Sequence, residues 1–271
     1  MEAKLGFFNR PWIGLSLEDA LDAMLAAGSK HAGTLGKAGG GVMVEWDTPD
    51  SEIEIMKEAV ASRGMTLHAV LARVHFDVPQ AVAIARYRTF IDKVHALGAK
   101  HLLEMGAHDP ETYDGYFEIM KAVSPYAYER GMIIGIKPHG GLSTTGKETA
   151  DVVAKVDQPG FQAWYDPGNI LFYKQYDPIE EAKYFDDICV GVCVKDCIVS
   201  GSGEDLKRDV NVTPGEGQVD FEGVFRVLRK GGFTAGPCLV ETLGPQDAEG
   251  ATKAGKQAMG YMTDVLKKVG Y

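Results

Sequence analysis

The stretch Gly131-Met132-Ile133-Ile134-Gly135-Ile136 opens with a glycine that follows an amphipathic segment and continues as a short apolar run. A glycine just past the last periodic residue is typical of a helix end, and a bounded apolar run of this length predicts a buried strand. The same order recurs at Gly64 before residues 65–71 and at Gly98 before residues 101–105. One helix-to-strand unit therefore repeats along the chain.

The repeated unit predicts eight strands along the chain. They begin about 33 residues apart, a spacing that suits one strand plus one helix. The predicted strands are residues 4–8, 31–35, 65–71, 101–105, 132–136, 161–165, 188–194 and 237–240. Apolar strands that alternate with helices indicate a parallel sheet, and eight equal units favour an α/β fold with one (β/α)8 TIM barrel domain over residues 1–271. The alternative is an open doubly wound sheet, but residues 6–12 after the first strand form no Gly-rich phosphate loop, so no nucleotide cofactor is expected.

Composition excludes several classes of function. The 28 basic residues against 38 acidic residues give a formal net charge of −10 without a basic run, so nucleic-acid binding is not expected. No apolar stretch approaches the roughly 20 residues of a membrane-spanning helix, and residues 1–4 do not resemble the start of a secretion signal. We therefore expect a cytoplasmic protein without membrane association, in which Cys189, Cys193, Cys197 and Cys238 are free thiols.

Ionisable side chains concentrate where the predicted strands end. In a (β/α)8 barrel the loops at the carboxyl ends of the strands form the active site, and charges that converge there must be compensated by each other, by a metal or by a ligand. The polar Gly-rich residues 200–217 predict a mobile lid over this end. The candidate site residues are Glu104, Lys137, His139, Asp166, Asn169, Cys193, Lys195, Asp196 and Glu241.

Three motifs give these positions a specific context. Trp-Tyr-Asp-Pro-Gly-Asn at 164–169 ends the sixth predicted strand, Val-Lys-Asp at 194–196 ends the seventh, and Gly-Glu-Gly-Gln-Val-Asp-Phe at 215–221 precedes the last helix and the strand that ends at Glu241. In the order and spacing of these motifs the chain resembles the xylose isomerase-like TIM barrels, a family of sugar isomerases, 3-epimerases, hydroxypyruvate isomerases and inosose dehydratases. The resemblance covers almost the whole chain and implies a small carbohydrate substrate.

The resemblance also implies a divalent cation held by a Glu, an Asp, a His and a Glu on strands five to eight. Asp166 and Glu241 occupy two of these positions, whereas Lys137 and Cys193 replace the other two ligands. One interpretation is that the Lys137 ammonium group supplies the positive charge in place of a metal. The other is a shifted ligand set that uses Asp166, Glu241, His139 and either Glu104 or Cys193, with Mn²⁺ or Mg²⁺ on hard ligands and Zn²⁺ if the thiolate takes part. We favour the first, because Lys137 would repel a neighbouring cation.

The chemistry that the resemblance implies is proton abstraction next to a carbonyl, with stabilisation of the enediolate. We expect Glu241 at the reacting carbon, Lys137 as the electrophile, and His139 and Lys195 as hydrogen-bonding or acid and base partners. Asn169 and Asp196 are expected to position substrate hydroxyls. Glu104 is either a substrate-binding residue or an ion-pair partner of Lys137.

Other functions remain open at this stage. The same enediolate serves a dehydratase or lyase acting on a keto-sugar or keto-glycoside, and a desolvated Lys137 would instead form a Schiff base. A barrel that binds carbohydrate without turnover is an alternative from a different class. The resemblance implies pairing into a homo-oligomer, since barrels of this family commonly pair, and exposed aromatic residues at 172, 173 and 176 are suited to such an interface.

Overall fold

The computed structural model describes residues 3–271, and its centre is a closed barrel of eight parallel strands. Sequence neighbours pair around the barrel, and the last strand closes it against the first, with Leu5 beside Cys238. All eight predicted strands are present, so the (β/α)8 prediction is confirmed. The barrel strands are β1 (Ala3–Phe8), β2 (His31–Thr34), β3 (Thr66–Leu71), β4 (His101–Glu104), β5 (Ile133–Ile136), β6 (Phe161–Tyr165), β7 (Cys189–Val194) and β10 (Gly236–Val240).

Helices surround the barrel and begin at side-chain caps that the sequence supplies. Ser16 accepts a hydrogen bond from the Asp19 N–H at the start of the first helix, and Thr145 with Glu148 forms a capping box at the start of the fifth. Within residues 3–271, no helix has both the length and the apolar character needed to cross a membrane. The helices are α1 (Leu17–Ala26), α2 (Asp50–Ser62), α3 (Gln80–Leu97), α4 (Tyr113–Tyr128), α5 (Gly146–Val156), α6 (Pro167–Lys174), α7 (Pro178–Ala182), α8 (Phe221–Lys230) and α9 (Ala248–Val269).

The barrel interior is filled by a small apolar cluster with Trp164 at its centre. Trp164 lies against Phe8 and His101, with ring centroids 6.2 Å and 5.5 Å away. Its indole leaves no room for a side chain at Gly191, where an added Cβ would lie 2.5 Å from the ring. The buried residues of this cluster are Phe8, Leu35, Ala69, Leu103, Trp164, Cys193 and Leu239. The interior is therefore packed rather than open, and chemistry is restricted to its carboxyl end.

The loop after β7 contains a small antiparallel hairpin made of β8 (Ile198–Ser200) and β9 (Lys207–Asp209). The hairpin begins at the edge of the predicted lid, residues 200–217, and its β9 side chains are exposed. Asp196 fixes the far end of this loop by accepting hydrogen bonds from the backbone N–H groups of Gly215 and Gly217, each at 2.9 Å. The hairpin is thus attached to the barrel rim at both ends, and its mobility stays a prediction.

Candidate active site

The period of two along a strand decides which ionisable side chains face the barrel axis. Residues two positions apart point to the same side of a strand, so a polar residue two positions beyond an interior residue lies above the packed core. Gly135, Trp164, Cys193 and Leu239 face the interior. The residues two positions after them are Lys137, Asp166, Lys195 and Glu241.

Lys137 lies at the centre of this group. Its Nζ donates hydrogen bonds to Asp166 Oδ2 at 3.1 Å and to Glu241 Oε2 at 2.6 Å, and it is 3.8 Å from Cys193 Sγ. The side chains of Lys137, Asp166 and Glu241 are 2%, 0% and 3% exposed. Because burial of an unpaired charge is unfavourable, two carboxylates around one ammonium group are what allows the lysine to remain charged there.

Lys195 gives the cluster its second ammonium group. Its Nζ is 3.0 Å from Asp166 Oδ2, 3.1 Å from Asn169 Oδ1 and 2.7 Å from Glu241 Oε1. Arg10 reaches the same Glu241 oxygen from the loop after β1, with Nη1 at 3.0 Å. Each oxygen of Glu241 therefore faces at least one cation, and Oε1 faces two.

The charges in the cluster stabilise one another. Burial opposes ionisation of Glu241, yet Lys137, Lys195 and Arg10 lower the pKa of its carboxyl group well below the usual range. Burial likewise opposes the charge on Lys137, but the neighbouring Cys193, Glu241 and Asp166 outweigh it and raise the pKa of the ammonium group well above its ordinary value. A lysine that stays protonated is not a nucleophile, so the structure argues against the Schiff-base alternative.

Three of these residues also form the one group of potential metal ligands found among residues 3–271. The ligand atoms of Asp166, Cys193 and Glu241 lie within 4.8 Å of one another, which is close enough for one ion. However, Lys137 Nζ already lies 3.1, 3.8 and 2.6 Å from atoms of those same three residues. A divalent cation in this space would touch the ammonium group, and like charges at such a distance repel strongly in a buried site. With Lys137 in place, the residues do not fit a divalent cation.

His139 lies beside the cluster rather than in it. Its ring contacts Tyr173 at 5.8 Å between centroids, and its Nδ1 is 3.4 Å from His108 Nε2. Burial lowers the pKa of His139, and the neighbouring Lys137 and Lys195 lower it further, to about 3. His139 is therefore neutral at physiological pH, and whether it acts in catalysis stays a prediction.

A cavity of about 370 Å³ opens at the same end of the barrel, beyond β3 and β4. Arg73, Glu104, Met105 and His108 are among the residues that line it, whereas the two lysines of the cluster are not. Since His108 also contacts His139, the cavity adjoins the cluster without covering it. The most exposed member of the cluster is Arg10, whose side chain is 41% exposed.

Glu104 follows the inward-facing Leu103 and therefore lies on the outer side of β4, against the helices. Its carboxyl group accepts a hydrogen bond from the Tyr87 hydroxyl at 2.8 Å. The ion pair between Glu104 and Lys137 that the sequence suggested is absent from the described part of the chain, because Lys137 turns into the barrel towards Asp166 and Glu241. Burial raises the pKa of Glu104 to about 7, against the opposing effect of the Tyr87 hydrogen bond.

The other two predicted substrate-binding residues are engaged in holding the site together. Asn169 donates from Nδ2 to the Pro138 carbonyl at 2.7 Å and accepts from Lys195. Asp196 accepts four backbone N–H bonds, two on each oxygen, and so anchors the loop that carries the hairpin. Contact of Asn169 or Asp196 with a substrate hydroxyl stays a prediction.

The sequence reasoning missed Arg10 and Tyr173. Arg10 lies two residues past the end of β1, in the same class of loop as the predicted residues, so its position after a strand end was the available signal. The prediction that residues 172, 173 and 176 are exposed is wrong for Phe172 and Tyr173, which are half-buried, and Tyr173 lies against His139. A tyrosine inside a helix carries no sequence signal that distinguishes these two environments.

Comparison with known proteins gives the same architecture. A family model described as a xylose isomerase-like TIM barrel matches residues 36–264. No curated protein matches the chain at a significant level.

Solved structures with a similar fold cover nearly the whole chain at low sequence identity. A xylose isomerase domain protein from Planctomyces limnophilus is 15% identical, with a TM-score of 0.78 and 99% of both chains covered. A D-allulose 3-epimerase from Methylomonas sp. is 15% identical, with a TM-score of 0.73 and coverage of 97% of this chain and 96% of the other. A probable 3-DHS dehydratase from Bacillus anthracis is 11% identical, with a TM-score of 0.71 and coverage of 97% and 99%. At these identities the likeness establishes the fold.

Proposed function

The chain belongs to the family of xylose isomerase-like TIM barrels, and we propose that it is an enzyme of the sugar isomerase and epimerase type, which removes a proton next to the carbonyl of a small carbohydrate or keto-sugar. The observation that carries this proposal is the placement of two ammonium groups on opposite oxygens of one carboxylate. Lys137 Nζ is 2.6 Å from Glu241 Oε2, and Lys195 Nζ is 2.7 Å from Glu241 Oε1.

This arrangement suits the intermediate of an isomerisation. A cis-enediolate has two adjacent oxygen atoms, and one ammonium group on each side of the base can bind one oxygen each. Donors that are fixed in position before the reaction stabilise developing negative charge without reorganisation. Glu241 accepts the proton from one carbon and returns it to the neighbouring carbon, while the lysines hold the oxygens and move a proton between them.

The geometry favours isomerisation over epimerisation by two opposed bases. A two-base epimerase needs a second carboxylate on the other face of the reacting carbon. The second buried carboxylate of the cluster, Asp166, has both oxygens engaged: Oδ2 accepts from Lys137 and Lys195, and Oδ1 accepts from the Asn169 N–H. It therefore has no free oxygen with which to act as the second base. Glu104 is directed towards Tyr87, outside the barrel axis.

Exchange of substrate hydrogen with solvent tests the proposal. The protein, treated with EDTA, is incubated in D₂O with dihydroxyacetone, dihydroxyacetone phosphate, hydroxypyruvate and five- and six-carbon ketoses, and deuterium at the carbon next to the carbonyl is followed by NMR. We expect exchange with at least one compound and its loss in Glu241→Gln. Glu222→Gln is the matched control, because Glu222 lies on α8 and pairs with Arg226. Undiminished exchange in Glu241→Gln would remove Glu241 from the chemistry, and elimination of water from the substrate would redirect the proposal to a lyase.

A further inference from the structure

The cluster contains more positive than negative groups. Among residues 3–271, the cations Lys137, Lys195 and Arg10 pair with two carboxylates, those of Asp166 and Glu241. The lysines and both carboxylates are almost fully buried, so solvent screens their charges weakly. The buried lysines and carboxylates balance one another, so the excess positive charge of the cluster lies on the partly exposed Arg10. A negative group beside Arg10 would make the cluster neutral.

Neighbouring side chains do not supply that negative charge. Burial raises the pKa of the Cys193 thiol well above its usual value, which keeps it neutral. Asp196 uses both of its oxygens on backbone N–H groups and forms no ion pair with these cations in residues 3–271.

Arg10 is the member of the cluster that a ligand can reach. Its side chain is 41% exposed, against 2% for each lysine. Nη1 is bound to Glu241 at 3.0 Å, and within the described part of the chain Nε and Nη2 have no partner. A planar guanidinium edge with two free N–H groups matches the two oxygens of a carboxylate or a phosphate.

We infer that the substrate carries an anionic group, a carboxylate or a phosphate, that binds the free edge of Arg10 beside Glu241. This inference rests on the proposed function and adds the charge class of the substrate. A group bound there is separated from Glu241 by the width of the guanidinium and two hydrogen bonds of about 3 Å. The reacting carbon therefore lies a short carbon chain away from the anion, which favours a small keto acid or a sugar phosphate.

Binding of unreactive anions tests the inference without any turnover. The intact protein is titrated by isothermal calorimetry with malonate, with inorganic phosphate and with the neutral polyol erythritol. The same titrations are made on Arg10→Gln and on Arg226→Gln, a matched control in which a partly exposed arginine also has one glutamate partner, at 2.6 Å. Thermal melting of each variant confirms that it is folded.

We expect one of the anions to bind the wild-type protein more tightly than erythritol, and its affinity to fall about tenfold or more in Arg10→Gln, as loss of a charged hydrogen bond predicts. Tighter binding of malonate indicates a keto acid, and tighter binding of phosphate indicates a phosphosugar. Equal affinity in wild type and Arg10→Gln, or no anion binding at all, overturns the inference. Because the titration needs no catalysis, that outcome is distinct from a failure of the exchange assay.

Discussion

Replacement of Lys137 by methionine should turn the closed cluster into a metal-binding site. Methionine has a similar length but no charge, so the change removes the ammonium group and leaves Asp166, Cys193 and Glu241 around the vacated space. Their ligand atoms lie within 4.8 Å of one another. Two carboxylate oxygens and a sulfur suit Zn²⁺ or Co²⁺, which bind at about 2.0–2.3 Å after a small movement of the side chains.

The expected loss of stability in Lys137→Met follows from the ion pairs that Lys137 forms with Asp166 and Glu241. Removal of one partner from a buried ion pair costs about 3–5 kcal/mol, and the lower end applies because Lys195 still contacts Asp166 and Glu241 and Arg10 still contacts Glu241. For a protein of this size a loss of about 3 kcal/mol lowers the melting temperature by roughly 6–12 °C. A metal ion present at about 100 times its Kd restores about 2.7 kcal/mol, which returns most of the lost stability.

Three measurements on matched proteins check this prediction. Calorimetric melting of wild type and Lys137→Met, each with and without Zn²⁺, gives the stability. Elemental analysis after dialysis gives the metal content, and the absorption spectrum with Co²⁺ shows whether a thiolate is bound. We expect one ion per chain in Lys137→Met only, with a thiolate-to-cobalt band that disappears in Lys137→Met/Cys193→Ser. Stoichiometric metal in the wild-type protein, or none in Lys137→Met, would refute the view that the lysine occupies the cation position.

Two further predictions concern stability outside the cluster. Burial raises the pKa of Glu104 to about 7. As pH rises from about 4.5 to 7, the carboxyl group ionises in the unfolded chain but not in the folded protein, so the free energy of unfolding falls by about 3 kcal/mol. Glu104→Gln should remove this pH dependence from urea unfolding measured at about pH 5 and about pH 8. A slope that persists in Glu104→Gln would assign it to another group. Asp196→Asn should lower the free energy of unfolding by about 2–4 kcal/mol, because an amide nitrogen replaces an oxygen that accepts two backbone N–H bonds. We also expect limited proteolysis to cut residues 200–217 faster in this variant. Unchanged proteolysis would show that Asp196 does not anchor the loop.

The fold could be predicted because its signals are local and repeated. Gly98, for example, ends α3 in the left-handed conformation at φ 92°, and its place between an amphipathic run and an apolar run is visible in the sequence. The hairpin of β8 and β9 was missed, because Lys207–Asp209 is a charged, exposed strand without apolar alternation. Such a strand has no hydrophobic pattern by which to recognise it.

The site was predictable as a set of strand ends but not as a set of contacts. The period of two separates Lys137 from Glu104, since the first lies two residues after the interior Gly135 and the second directly follows the interior Leu103. Only the structure shows which strand residues are interior, because these fully buried parallel strands have apolar residues on both faces. The contact of Arg10 with Glu241 depends on the direction of a loop side chain, and no periodic pattern in the sequence gives that direction.

The low pKa of Glu241 raises the question of how this carboxylate can act as a base. Three cations stabilise its ionised form, which by itself weakens it for proton abstraction. In enolisation, however, the negative charge moves from the carboxylate to a substrate oxygen only a few ångströms away, and the total charge of the cluster does not change. The ammonium groups of Lys137 and Lys195 can then bind the substrate oxygen instead of the carboxylate. They therefore lower the pKa of the substrate C–H group as well as the pKa of Glu241. An anionic substrate on Arg10 adds the negative charge that the cluster lacks. The site becomes electrically neutral only when the reactant is bound.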